Sequence, residues 1–186
     1  MKIKRPSKDL YYMGIAQEVA RRSTCYRRFF GTIVVKDDQI ISTGYVGAPR
    51  KTKDCLEHGN CLRDKLNIPH GQRYEICRSV HSEQNAIINS ARAGVSLLDA
   101  TVYLYGEDPK TGKAIEAFPC FICKKMIINS GVATVICSTD KGKVKKYKVS
   151  TWANEWHKND IIDDKTQYGK KENKKATKRK TKKRKK

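Results

Sequence analysis

His81-Ser82-Glu83 and Pro119-Cys120-Phe121-Ile122-Cys123 together read H-x-E…P-C-x-x-C. Zinc takes imidazole nitrogen and thiolate sulfur, and a catalytic zinc keeps one of its four positions for water. His81, Cys120 and Cys123 are three such ligands, with solvent as the fourth. A water held there gives up a proton near neutral pH and becomes a nucleophile. Glu83, two residues after His81, is placed to move protons rather than to bind the ion. Two cysteines at the start of a helix can grip one ion, and the helix dipole favours their thiolate form. A C-x-x-C alone also serves redox chemistry or structural zinc, and an H-x-E alone carries little. The two in this order, each opening a helix-like run, carry much more. A purely structural zinc with Glu83 as bystander is the alternative.

Working outward, both motifs fall where a helix is expected, over Ser82 to Ala93 and Phe121 to Ser130, each stopped by a glycine, Gly94 and Gly131. Two helix N-termini converging on one ion need a sheet to hold them. The strand-like runs Gly31–Lys36 and Gln39–Gly44, joined by Asp37-Asp38, read as a hairpin. Thr101–Tyr105 and Val132–Cys137 read as further strands, and Gly106 to Glu116 as an excursion or short hairpin. A first helix is expected from Ser7 or Lys8 to about Arg22, with Leu10, Met13, Ile15, Ala16, Val19 and Ala20 on its apolar face. A last one is expected from Ser150 to about Ile162, with Trp152 and Trp156 as a core pair. The order α-β-β-loop-α-β-α-β-α predicts a three-layer α/β/α domain with a mixed central sheet. Arg50 to Ser79 is the least regular segment. It holds Cys55, His58, Cys61, His70 and Cys77 between Gly59, Pro69 and Gly71, and a metal knot is one way to order so few apolar residues.

The 186 residues suit one domain over 1–165 followed by a Lys/Arg-rich tail over 166–186. No apolar run approaches the roughly 20 residues of a membrane span, and no membrane partner is expected. The basic start, Met1 to Pro6, leads into no apolar stretch of the secretory kind. Seven cysteines in such a chain point to a reducing, cytoplasmic compartment and to metal binding rather than disulfides. Of the net charge of +21, +11 lies in Lys170–Lys186, which has no hydrophobic residue larger than Ala and is expected to be disordered. Nucleic-acid contact, a targeting address and simple solubility are all compatible with it. The rest of the chain stays basic, which suits a phosphorylated ligand or nucleic acid.

At this point the chain resembles the deoxycytidylate (dCMP) deaminases of the bacterial and viral, late-competence type. The resemblance runs through Arg22-Ser23-Thr24-Cys25 with Arg27-Arg28, Gly44-Tyr45-x-Gly47-Ala48-Pro49, Cys55…Cys61-Leu62-Arg63, Cys77-Arg78-x-x-His81-x-Glu83-Gln84-Asn85-Ala86-Ile87, and Pro119-Cys120-x-x-Cys123-Lys124-x-Met126-Ile127-Ile128-Asn129-x-Gly131. It covers roughly residues 8 to 160. It implies a cytidine-deaminase-like fold and a hydrolase of the cyclic amidine C–N bond. The reaction implied is dCMP to dUMP and ammonia, feeding thymidylate synthesis, with Glu83 catalytic and His81, Cys120 and Cys123 on zinc. It further implies homo-oligomers and, in many members, dCTP activation and dTTP inhibition with Mg2+ accompanying the triphosphate. Arg92 matches a position near the substrate phosphate; Arg27 and Arg28 are further candidates, and Tyr45 and Val46 belong to the substrate loop. Some members hold a second, structural zinc. Here Cys25, Cys55, Cys61 and Cys77 match it, with His58 as a substitute ligand.

Three positions depart from that pattern. Val46 stands where the family's Asn amide bonds the sugar hydroxyl, and it offers no polar side-chain atom. Ser82 stands where Ala is common, a change expected to be tolerated. Phe118 precedes Pro119 where a polar residue is frequent, giving a more apolar wall. Two other functions compete. One is deamination of a base in tRNA or single-stranded DNA, which the basic tail suits. The other is a catalytically silent, zinc-containing nucleic-acid binder, against which the intact Glu83 argues.

Overall fold

The computed structural model describes residues 5–69 and 71–159. The elements in chain order are α1 (Lys8–Ala20), β1 (Phe29–Lys36), β2 (Gln39–Tyr45), α2 (Leu62–Lys65), a 3-10 turn (Tyr74–Ile76), α3 (Ser82–Arg92), β3 (Thr101–Asp108), β4 (Lys113–Ala114), α4 (Phe121–Asn129), β5 (Thr134–Ser138), β6 (Val144–Lys148) and α5 (Val149–Lys158). The sheet runs β2-β1-β3-β5-β6, with β4 paired to the end of β3. β3 and β5 are parallel, and the other neighbouring strands are antiparallel. The mixed α/β sheet of the sequence reading is therefore present.

Strand alternation builds the layers. Ile33, Val35, Tyr103, Tyr105 and Ile136 point to one face and pack with Tyr12, Met13, Ala16 and Ala20 of α1. Val34, Val102, Leu104, Val135 and Cys137 point to the other, against Ala86 of α3, Ile127 of α4 and Trp152 of α5. Ser7 caps α1, its Oγ accepting from the Leu10 amide at 3.3 Å. Leu10, expected on the buried face, is exposed. Asp37 and Asp38 both take positive φ, 48° and 63°, the two-residue turn that matches strand twist. Lys8 and the Tyr12 hydroxyl both bond Asp38, at 2.6 and 2.7 Å, tying α1 to that turn.

Two differences from the sequence reading have plain causes. β6 was not expected, because Val144-Lys-Lys-Tyr-Lys148 lacks an apolar alternation. It is an outermost strand, and lysines there discourage a further strand from pairing. Trp152 is in the core as expected, but Trp156 is only half-buried, against the Phe121 ring at 5.4 Å. The tail over 166–186, the boundary at 165 and the end of the last helix near 162 lie outside the described residues. Among the described residues no helix is long and apolar enough to cross a membrane.

Gly44, the last residue of the second expected strand, is in β2 directly beneath α3: a Cβ there would land on the Ser82 carbonyl oxygen and the Ala86 nitrogen. Gly44→Ala is expected to destabilise the chain by about 3 kcal/mol, since overpacking against backbone has no side chain to absorb it. A urea unfolding midpoint checks this.

Candidate active site

Local structure puts the ligands together. His81 precedes the first turn of α3, and its amide donates to the Gln84 side-chain oxygen at 3.1 Å, closing the helix end. Cys120 holds the same position on α4 behind the buried Pro119, and Cys123 turns inward from the first turn. The two helix ends meet. His81 Nδ1 lies 3.3 Å from Cys120 Sγ and 3.4 Å from Cys123 Sγ. Zn–S and Zn–N bonds at a tetrahedral angle set nitrogen and sulfur about 3.5 Å apart, so this triad fits zinc. Among the described residues it is the one His/Cys/Asp/Glu group gathered this tightly, with ligand atoms within 4.8 Å of one another.

The electrostatics suit a metal and a proton carrier. Cys120 is pulled down to about 4 by the hydrogen bond from Cys123 and by His81, so it is the thiolate of the pair. Cys123 is pushed up by that same bond and by burial. His81 is raised: burial works against its charge, but the Cys120 hydrogen bond and the Glu83 charge outweigh it. Glu83 is 6% exposed, and burial raises its carboxyl toward the protonated form. Ser82 Oγ donates to Glu83 Oε2 at 2.9 Å, and Thr32 Oγ1 donates to Ser82 Oγ at 2.8 Å.

These groups open into a cavity of about 480 Å³, a size ordinary for small-molecule sites. Of the residues singled out from sequence, His81, Glu83, Cys120, Arg27, Arg28, Val46 and the four cysteines 25, 55, 61 and 77 line it. The apolar wall expected from Phe118 is there too. Tyr45 is not on the wall; it is 37% exposed, and its carbonyl accepts from Asn85. Arg92 is a correction. It ends α3, exposed and away from the cavity. At 1.5 Å per residue it stands about 16 Å along the helix from His81. Arg27 and Arg28 reach the cavity already engaged, Arg27 with Asp64 at 2.8 Å and Arg28 with Asp108 at 3.1 Å.

The four cysteines share the cavity but stand further apart than a bound ion requires, since no three of their sulfurs lie within 4.8 Å of one another. Cys25 and Cys55 are both raised, chiefly by burial, and each also feels the charge of Cys77. His58 is exposed and off the cavity. Sequence reasoning gave no role to Arg63 or Tyr74. Arg63 is only 5% exposed; its guanidinium lies 4.7 Å from the Tyr74 ring centre, and its Nε has no acceptor. Tyr74 in turn meets the His81 ring edge-on at 5.0 Å. Arg63 falls within the Cys61-Leu62-Arg63 match, but nothing in the sequence marks it as buried or gives it a task.

A mixed sheet carrying an N/S/S triad on two helix ends, with a buried carboxylate beside it, defines a zinc-site α/β domain of the cytidine-deaminase-like fold. The chain belongs to the cytidine and deoxycytidylate deaminase family, whose zinc-binding region matches residues 6–139. A deoxycytidylate deaminase of Mycobacterium phage D29 is 34% identical over 137 residues, covering 71% of this chain and 94% of the phage protein. That of Saccharomyces cerevisiae is 32% identical over 134 residues, covering 72% of this chain but only 38% of the yeast protein. The chain thus spans well under half the length of the yeast relative. Among solved structures, a dCMP deaminase of the cyanophage S-TIM5 in complex with dCMP and dUMP is 26% identical, with a TM-score of 0.51 over 72% of this chain and 82% of that one.

Proposed function

We propose that the chain hydrolyses dCMP to dUMP and ammonia, the supply of dUMP for thymidylate synthesis. The observation that carries this is the His81/Cys120/Cys123 triad with buried Glu83 at the foot of a cavity bordered by Arg27, Arg28 and Arg63. When bound, zinc supplies a hydroxide-like nucleophile at neutral pH. His81, Cys120 and Cys123 would hold it. Glu83 takes the proton from the water and delivers it to the ring N3. Once the C4–O bond has formed, Glu83 moves the proton of the new C4 hydroxyl to the amino nitrogen; the C4–N4 bond then breaks, C4 becomes a carbonyl and ammonia leaves. Burial raises the Glu83 carboxyl, which favours the form that holds a proton to give. Phe30 and Phe118 give the base an apolar wall, and the arginines offer charge for the phosphate. Buried Val46 replaces a polar sugar contact with an apolar one.

The same reading includes a structural zinc on Cys25, Cys55, Cys61 and Cys77. It is supported by their place around one cavity and requires the insert to contract around the ion. It also includes a homo-oligomer, a triphosphate effector with Mg2+, a cytoplasmic setting, and nonspecific nucleic-acid contact through the basic tail.

The experiment is ammonia release by the full chain with dCMP, CMP, dCTP, deoxycytidine and a single-stranded oligonucleotide, each with and without dCTP as effector. Turnover of dCMP well above the others is expected. Turnover confined to the oligonucleotide would move the function to polynucleotide deamination, and silence on every substrate would leave a zinc-containing binder.

A further inference from the structure

Thr32 is a polar residue on the apolar side of a central strand. Its neighbours on that face of β1 are Phe30 and Val34, both in or against the aliphatic core. Thr32 and Ser82 are each 0% exposed. A hydroxyl with no access to water must find its partners inside the protein, and it carries a single proton to give. Thr32 gives its proton to Ser82 Oγ at 2.8 Å, and Ser82 is thereby left to give its own to Glu83 Oε2 at 2.9 Å. The chain of bonds has one direction and ends on a carboxylate oxygen. Its two ends are fixed independently. Thr32 is held in the ladder opposite Gly44 and Leu104, and Ser82 opens α3 directly over Gly44.

We propose that Ser82 and Thr32 are positioning residues for Glu83, pinning Oε2 through this relay and reserving Oε1 for proton transfer. The proposal rests on the deamination reading and deepens it. A glutamate has three side-chain rotations to settle, and a proton carrier works only from within hydrogen-bond reach of the reacting atoms. A fixed donor on one oxygen removes that freedom before substrate arrives. Ser82, which looked from sequence like a harmless replacement for Ala, would then set how often the carboxylate is correctly aimed.

The test uses Ser82→Ala, Thr32→Val, the double variant and Thr32→Ser. The readouts are kcat and KM for dCMP, zinc per chain and the urea midpoint. Ser82→Ala is expected to lower kcat about 10-fold with KM and zinc unchanged. Thr32→Val should lower it about 3-fold, and Thr32→Ser, which keeps the hydroxyl, should restore it. The double variant separates positioning from structure. Removing both hydroxyls leaves no buried donor unpaired, so its midpoint should recover toward that of the parent. Its kcat should stay as low as that of Ser82→Ala. Unchanged kcat in Ser82→Ala overturns the proposal alone, as does a kcat that recovers with stability in the double variant or a loss that follows zinc content. A parent chain that releases no ammonia from any nucleotide overturns the deamination reading, and this proposal with it.

Discussion

Glu83→Gln is expected to fold, keep its catalytic zinc and turn dCMP over about 10³-fold more slowly than the parent chain. Glutamine has the same length and can still accept the Ser82 hydrogen bond, so the packing around α3 is preserved. What it lacks is a site that takes and returns a proton. Burial raises the carboxyl of Glu83, which means that its charged form is held at a cost in the folded chain. The neutral amide removes that cost, so the urea midpoint should stay level or rise while turnover falls. Opposite movements of stability and rate are the signature of a working residue. Zinc analysis, a urea titration and single-turnover ammonia release on one preparation check all three parts. Turnover near that of the parent would remove Glu83 from the proton path.

The second large effect is on the metal. Cys123→Ser is expected to lose the catalytic zinc and bring ammonia release to background, because a serine hydroxyl does not ionise to replace a thiolate ligand. Cys123 is fully buried, and serine is slightly smaller, so the helix should still form. Cys61→Ser tests the other cluster. Within 50–79, the described residues that are buried are Cys55, Cys61, Arg63 and Ser79. None is aliphatic, so this insert has almost no apolar core of its own, and a metal would contribute much of its order. The expected outcome is two zinc ions in the parent chain, one in each single variant, and rapid protease cleavage within 50–79 for Cys61→Ser alone. One zinc in the parent, unaffected by Cys61→Ser, would discard the structural ion and keep the catalytic one.

The His81/Cys120/Cys123 group was readable because its parts are local. H-x-E and P-C-x-x-C each sit within one helix start, and a helix start has few ways to aim its first side chains. The hairpin was readable for the same reason, since Asp37 and Asp38 have the short polar side chains that the turn demands. Arg92 shows where locality misleads. Helical periodicity places residues on a face but says nothing of how far along the axis they stand, and the length of α3 separates Arg92 from the site. The Thr32–Ser82 bond joins positions 50 residues apart, and Arg63 acquires its burial from an insert with no repeating pattern. Both depend on tertiary packing, which leaves no mark in spacing. β6 was hidden because an outermost strand protects itself with the lysines that obscure its alternation.

The parallel pairing of β3 with β5 has a consequence for how the chain is made. Its antiparallel partner β1 precedes β3 in translation, but β5, Cys120 and Cys123 follow it. A nascent chain that has emerged as far as β4 carries one unfinished sheet edge and a single member of the ligand triad. Ribosomal order therefore makes assembly of the His81/Cys120/Cys123 group a late event, one that marks completion of the sheet, and leaves the exposed edge of β3 as the interval in which a chaperone has most to protect.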